Sequence, residues 1–323
     1  MERIPHLDAQ AIRERLMERP VPALAMYSSW WGGITTDPAA MQVPADDHLV
    51  HRGDGVFETL KVCRGAVYNM ERHLDRLRLS CRRLGLERRW TDEEVEQIIV
   101  ETVEAAGDPE ALVRVIAARG PGGFSVSPAD CAEAVLYVIV YPASPPFMAQ
   151  HPEGARVAMG DVPGKPSFFA TVKTCNYLPN ALLKQAALDQ GVHFLLGRDP
   201  EGNVTEGPTE NVCVVTPDRV LVRVPSEHIL LGTTMMRVLE LAGPLMDEGQ
   251  LTDIGICSLS PADLERATEI LILGTTAEVT AVVEFNGRPV GDGRPGVIQQ
   301  ELARRLREDM EACSEMRTPT AFA

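Results

Sequence analysis

Of the 31 basic residues in this chain only four are lysines, Lys61, Lys165, Lys173 and Lys184. A chain that uses arginine almost everywhere keeps lysine where an amine with a movable pKa is useful. A partly desolvated lysine can lose its proton and attack a carbonyl, whereas a guanidinium stays protonated. Lys173 lies in the stretch 168–180, FFATVKTCNYLPN, four residues before Tyr177, one of five tyrosines. The apolar run before it reads as a strand end, and a helix is expected directly behind Tyr177. A lysine at a strand end with a phenol nearby suggests an imine-forming site. Taken alone the signal is weak, because most such lysines are solvated and inert. Lys165 reads as part of a PGKP turn, Lys184 as the solvated face of a helix, and Lys61 as an exposed neighbour of a hairpin turn.

Other residue types could complete such a site. Glu206 and Glu210 flank the loop TEGPTEN before an apolar strand. They read either as solvated loop acids or as a carboxylate held against a ring nitrogen that must stay protonated. Gly-Thr-Thr occurs twice, at 232–234 opening a helix and at 274–276 after a buried strand. Helix N-termini and successive backbone amides bind phosphate, and threonine hydroxyls add donors, although each element alone is more often a simple cap. His73 and Arg76 share a helix face at a spacing of three. The Gly-rich loop after Arg119 could cradle an anion or serve as a plain turn, and Trp30 and Trp31 fit a core or a dimer contact.

The elements that must position these groups fill 323 residues, enough for about two domains with their own cores. Apolar residues make up 45% and charged residues 24%, the balance of a globular protein. The net charge of −15 argues against nucleic acid or an anionic membrane as the main partner. No apolar run approaches a membrane span, and the charged N-terminal stretch lacks a signal-peptide core. Seven cysteines with no C-x-x-C pair suggest reduced thiols in the cytoplasm, and seven scattered histidines show no metal-ligand spacing, so no metal is expected.

Four parts are expected: an N-terminal extension over 1–25, a small α/β domain over 26–141, a proline-rich linker over 142–154, and a large domain over 155–323. In the first part a helix over 8–19 precedes irregular chain with one or two short strands up to residue 54. Strands follow at 56–62 and 66–69, and helices at 71–84 and from Thr91, whose capping box is completed by Glu94. Strands at 112–118 and 134–141 end that domain. In the second part strands are expected at 155–159, 192–196, 211–215, 220–224 and 270–273, a hairpin turn at Asn286-Gly287, and helices at 179–190, 232–242 and 297–310. The last dozen residues read as frayed.

Together these stretches resemble the class IV (fold type IV) pyridoxal-phosphate aminotransferases. The matching pieces are GDGVFET (53–59), HLDRL (73–77), VKTCNYLPN (172–180), EGNVTEGPTENV (201–212), ILLGTTMMRVLELA (229–242) and EILILGTTAEVTAVV (269–283), in family order. The resemblance implies a mixed α/β two-domain fold, with a β-barrel-like core flanked by helices in the larger domain. It implies pyridoxal 5'-phosphate joined as a Schiff base to Lys173, which also moves the proton during transfer. Glu206 would pair with the ring nitrogen and Tyr177 with the ring hydroxyl. Arg76 would bind the phosphate with Thr233, Thr234 and Thr275, and Asn211 would orient Glu210 or its loop. The family is dimeric, so a homodimer with the site near the subunit interface is expected.

Within the family the runs MYSSWWGGITTDPAAM, HLVHRGDGVFET and ARGPGGFSVSPADC are most similar to plant-type D-amino acid transaminases and close to aminodeoxychorismate lyases. The Arg-x-His carboxylate trap of bacillus-type D-amino acid transaminases is replaced by Phe124 and Val126. Arg52 and Arg119 are the candidates for the substrate carboxylate, with Phe57 and Thr276 also on the substrate side. The expected reaction moves an amino group from an amino acid, such as D-alanine, to a 2-oxo acid. The alternatives are an aminodeoxychorismate lyase, a branched-chain L-amino acid aminotransferase, or a non-catalytic phosphate-ligand binding protein.

Overall fold

The computed structural model describes residues 4–162 and 165–323. The chain divides into two compact units, one of residues up to 70, 74–143 and 318–323, the other of residues 71–73 and 144–317.

The first unit is built on a sheet whose strands are β1 (Ala25–Ser28), β2 (Gly33–Thr35), β3 (Gly55–Cys63), β4 (Ala66–Tyr68), β5 (Ala111–Ala118) and β6 (Val135–Pro142). The order is Arg317–Pro319, β4, β3, β5, β6, β1, β2. β3 and β5 pair antiparallel from Gly55↔Ala118 to Lys61↔Leu112. Both are Val-, Leu- and Ala-rich because central strands are covered on both faces. The helix Asp92–Ala106 lays Val95, Ile99, Thr102 and Val103 on this sheet, against β6 and β1. Its Thr91–Glu94 capping box is formed as expected, and Gly107 in the left-handed region ends it.

The second unit carries β7 (Ala155–Met159), β8 (Phe194–Leu196), β9 (Asn211–Val215), β10 (Val220–Arg223), β11 (Asp253–Ile256), β12 (Glu269–Gly274), β13 (Glu278–Phe285) and β14 (Arg288–Pro289). Their order is β11, β10, β9, β12, β13, β7, β8, with β14 added to β13 through the Asn286-Gly287 turn. All five residues of β9 are buried, and it emerges at Asn211 beside the loop that holds Glu206. The helices Leu178–Asp189, Thr233–Ala242 and Val297–Ala312 flank the sheet, the last packing on β13, β12 and Thr233–Ala242. Two sheets, each with its own helices, give the mixed α/β architecture expected from the sequence.

One buried acid fixes the closing helix. Glu269, the first residue of β12, accepts the backbone N–H groups of Ile298 and Gln299 at 2.9 and 2.8 Å. These donors have no partner inside the helix, so the carboxylate serves as its cap from a distant strand. Glu269→Ala is expected to lower the unfolding free energy by about 1–3 kcal/mol, measured by urea denaturation.

Three expectations are corrected. Lys173 is not at a strand end: it lies in an irregular connection between the short helix Ser167–Ala170 and the helix Leu178–Asp189. Pro166 precedes the apolar run, and the chain turns helical there instead of extending. The irregular stretch up to residue 54 also contains a short helix, His48–Arg52, capped by the Asp47 carboxylate. The C-terminal residues are ordered: Arg317–Pro319 pairs with β4, and Thr320 donates from N and Oγ1 to the Gly65 carbonyl at 3.0 and 2.6 Å. Of the expected PGKP turn, Pro163 and Gly164 lie outside the described residues.

Candidate active site

The Lys173 amine is buried, and its Nζ lies 3.2 Å from the Tyr177 hydroxyl. Tyr177 is the N-cap of the helix Leu178–Asp189, with Pro179 in its first turn, so a rigid element fixes the phenol. The Asn180 side chain on that helix donates to the Pro208 carbonyl, tying the helix to the loop of Glu206.

Glu206 is placed by a hairpin that follows β8. Gly197 and Glu206 pair through the backbone, as do Arg198 and Val204, and the turn between them is closed by the Asp199 side chain on Asn203. The Glu206 carboxylate accepts the Leu230 backbone N–H at 2.9 Å and the Asn211 side-chain amide at 3.2 Å. The same Asn211 amide reaches the Leu230 carbonyl at 2.8 Å. Asn211 therefore orients Glu206, not Glu210. Glu210 is taken by its own neighbour, accepting from the Thr209 backbone N–H at 3.0 Å and from the Thr209 hydroxyl. Gly232 is required at the next step of this chain, since a Cβ there would collide with Asn211 Oδ1.

Burial pushes the Glu206 carboxyl up to about 7, against the opposing pull of Lys165, the Leu230 N–H and Lys173. A carboxyl at that value can hold or release a proton near neutrality. A cationic partner brought to it would turn it into a fixed anion.

Gly232 has no capping side chain, and the first intrahelical bond of Thr233–Ala242 runs from Met236 N to Gly232 O. The N–H groups of residues 233–235 precede that bond, the geometry that receives an anion. Thr233 and Thr234 are buried, and the buried His73 ring lies 3.1 Å from the Thr233 hydroxyl through Nε2. The second element is the turn between β12 and β13: Thr275 is partly buried there and Thr276 is exposed. The Gly274 backbone stands near Glu210 and Thr209, so this turn faces the Glu206 loop.

The remaining candidates belong to the first unit. Arg76 forms a two-pronged pair with the fully buried Glu58, at 2.8 and 2.7 Å. Arg119 grips Asp54 through Nε and Nη2 and donates to the carbonyls of Leu84 and Gly85. Arg52 donates to the carbonyls of His51, Phe124 and Ser125. Phe57, buried on β3, lies under the Arg114 guanidinium at 4.7 Å.

Sequence reasoning passed over Lys165, which the structure sets 5.1 Å from the centre of the Tyr177 ring. Scarcity of lysine was the one available signal, and the turn composition masked it. It also missed the His73 contact with Thr233, which joins residues 160 positions apart. The carboxylates of Asp199 and Glu201 and the His228 ring approach within 4.8 Å of one another, but both Asp199 oxygens already accept from Asn203.

A buried amine against a phenol, a tethered carboxyl and an open helix N-terminus on one α/β scaffold define a site for an aldehyde-bearing phosphate cofactor. The chain belongs to the class IV aminotransferases, whose family model matches residues 55–285. It is 35% identical over 312 residues to the chloroplastic D-amino-acid transaminase of Arabidopsis thaliana, covering 96% of this chain and 83% of that one. It is 30% identical over 278 residues to a putative branched-chain-amino-acid aminotransferase of Methanocaldococcus jannaschii, covering 85% and 94%. Among solved structures, the PLP-bound form of a hypothetical aminotransferase from Mycobacterium tuberculosis superposes with a TM-score of 0.74, at 26% identity over 88% of this chain and 98% of that one. The cofactor is thus pyridoxal 5'-phosphate, as the sequence led us to expect, and the donor set just described suits its aldehyde, ring nitrogen and phosphate. Among the described residues no helix is long and apolar enough to cross a membrane.

Proposed function

We infer that this aminotransferase takes its amino group from a D-amino acid, such as D-alanine, and passes it to a 2-oxo acid, with Lys173 as the exchanging amine. The observation that carries the role of Lys173 is its burial 3.2 Å from the Tyr177 hydroxyl. When bound, pyridoxal phosphate supplies the aldehyde that takes up the amino group and the ring that accepts the electrons. The Tyr177 hydroxyl gives the Lys173 amine a hydrogen-bond partner that stays in place whether the amine is protonated or neutral. Lys173 is then the base that removes and returns the substrate proton. Glu206, steadied by Asn211 and Leu230 N–H, holds a proton at the ring nitrogen. The N–H groups at Thr233 and Thr234, with their hydroxyls, receive the phosphate.

The D-configuration is favoured by the 35% identity to the Arabidopsis D-amino-acid transaminase. A branched-chain L-amino acid reading draws on the Methanocaldococcus relative. A panel of D- and L-amino acids, followed by the absorbance change as bound cofactor passes to its amine form, separates the two. We expect D-alanine to react about 100-fold or more faster than L-leucine, a difference of about 2.7 kcal/mol in the barrier. The reverse order sinks the D-specific assignment. A cytoplasmic homodimer is part of the same reading. It is supported by the exposed pair Trp30 and Trp31 in the first unit, and light scattering tests the dimer.

A further inference from the structure

Any amino acid brought to this site carries an α-carboxylate besides its amine, and a carboxylate drawn out of water needs a cation or several donors. Both arginines expected to supply it are already engaged. Arg119 is spent on Asp54 and two carbonyls, and Arg52 on three carbonyls. The lysine passed over in the sequence is placed differently. The ammonium groups of Lys165 and Lys173 lie 5.1 and 5.6 Å from the centre of one ring, that of Tyr177. Lys165 also lines a cavity of about 640 Å³ together with Ser167, Asn180, Glu206 and His228. Among the described residues no carboxylate comes within ion-pair distance of it.

The geometry points to Lys165 as the cation that receives the α-carboxylate of the amino-acid substrate, beside the amine of Lys173. This rests on the reading of Lys173 as the exchanging residue. In an α-amino acid the nitrogen and the carboxylate carbon are separated by two bonds of about 1.5 Å each. Two groups that address those two ends must therefore stand close together, as the two lysines do around one aromatic ring. Burial holds the Lys165 amine below the usual lysine range, with the Glu206 charge pulling the other way. Such a partly desolvated ammonium forms a stronger charge-assisted bond to a carboxylate than a solvated one. A lysine also acts as a point charge without the fixed fork of a guanidinium, so it accepts the carboxylate in more than one orientation.

The test uses protein loaded with pyridoxal phosphate and titrates it calorimetrically with propanoate, a carboxylate that has no amine to exchange. Lys165→Met should weaken propanoate by about tenfold or more, and Lys165→Arg should restore it to within about threefold of wild type. Melting temperatures of both variants report that each is folded. In a second arm, single-turnover formation of the amine form is compared for alanine and ethylamine. The wild-type preference for alanine should collapse in Lys165→Met through weaker binding, with the limiting rate nearly kept. Unchanged propanoate affinity in a folded, loaded Lys165→Met overturns the assignment while leaving the role of Lys173 intact. So does a loss confined to succinate, which would place Lys165 at a distal carboxylate. Full amino transfer by Lys173→Ala would overturn both readings together.

Discussion

Lys173→Ala should fold, melt within a few degrees of wild type and transfer no measurable amino group. The residue sits in an irregular connection and not in a strand ladder, so its removal breaks no sheet pairing. What is lost locally is the 3.2 Å contact with the Tyr177 hydroxyl, at a cost of about 1 kcal/mol. The chemistry loses both its nucleophile and its base, a pair of roles that no other group shares. Residues acting as a unit in this way reduce turnover by about 10⁴-fold or more when removed. The measurements are single-turnover conversion of bound cofactor and borohydride trapping followed by peptide mass analysis. Trapping should place the cofactor on Lys173 in wild type and nowhere in the variant. Attachment at Lys165 or Lys184 with normal turnover would show that the wrong lysine had been chosen.

Glu206→Gln has the second largest expected effect, and it is visible even before cofactor is added. The Glu206 carboxyl of the folded protein is pushed up to about 7 from an ordinary value of 4.5, with burial as the main cause. Between those two values the folded chain binds more protons here than the unfolded chain does. The sign follows: stability from this group is full below about 4.5 and falls as pH rises through about 7. The loss is at most about 3 kcal/mol, since each pK unit corresponds to 1.36 kcal/mol. Glutamine carries no such charge, so the cofactor-free variant should gain stability relative to wild type from pH 5 to pH 8, read from paired thermal melts. With cofactor bound the balance reverses, because the carboxylate then meets a protonated ring. Glu206→Gln should then cut amino transfer by about 10²–10³-fold, the usual range for one buried electrostatic partner. Equal pH dependence in variant and wild type would show that Glu206 is not the buried titrating group.

The sheets were legible because the signals that specify them are local. Val56, Leu60 and Val62 lie in a run that only a covered strand tolerates, and Asn286-Gly287 demands a hairpin. Thr91 with Glu94 spells out a helix start by itself. The set Lys173, Tyr177, Glu206, Thr233 and Thr234 was readable for another reason, since the motifs keep their order along the chain. What was misread depends on distant partners. The run FFATV has strand composition, yet Pro166 opens a turn of helix there. Asn211 was assigned to its neighbour Glu210, whereas the hairpin from Gly197 returns Glu206 to its side. Lys165 looked like part of a solvated turn, and its relation to Tyr177 is twelve residues away and depends on the path between them.

The way Arg317–Pro319 closes the first sheet bears on how the chain acquires its structure during synthesis. The outer edge of β4 has no partner until residues 317–323 leave the ribosome, after the whole second unit has been made. Gly65, left-handed at φ 71°, leaves room there for the Phe322 and Ala323 backbone, which any Cβ would displace. For most of its translation the nascent protein thus carries an open strand edge, the feature through which chains add to one another. Nascent chains stalled before residue 317 should need a chaperone to stay dispersed, and release of the C-terminal segment is the step that ends that exposure.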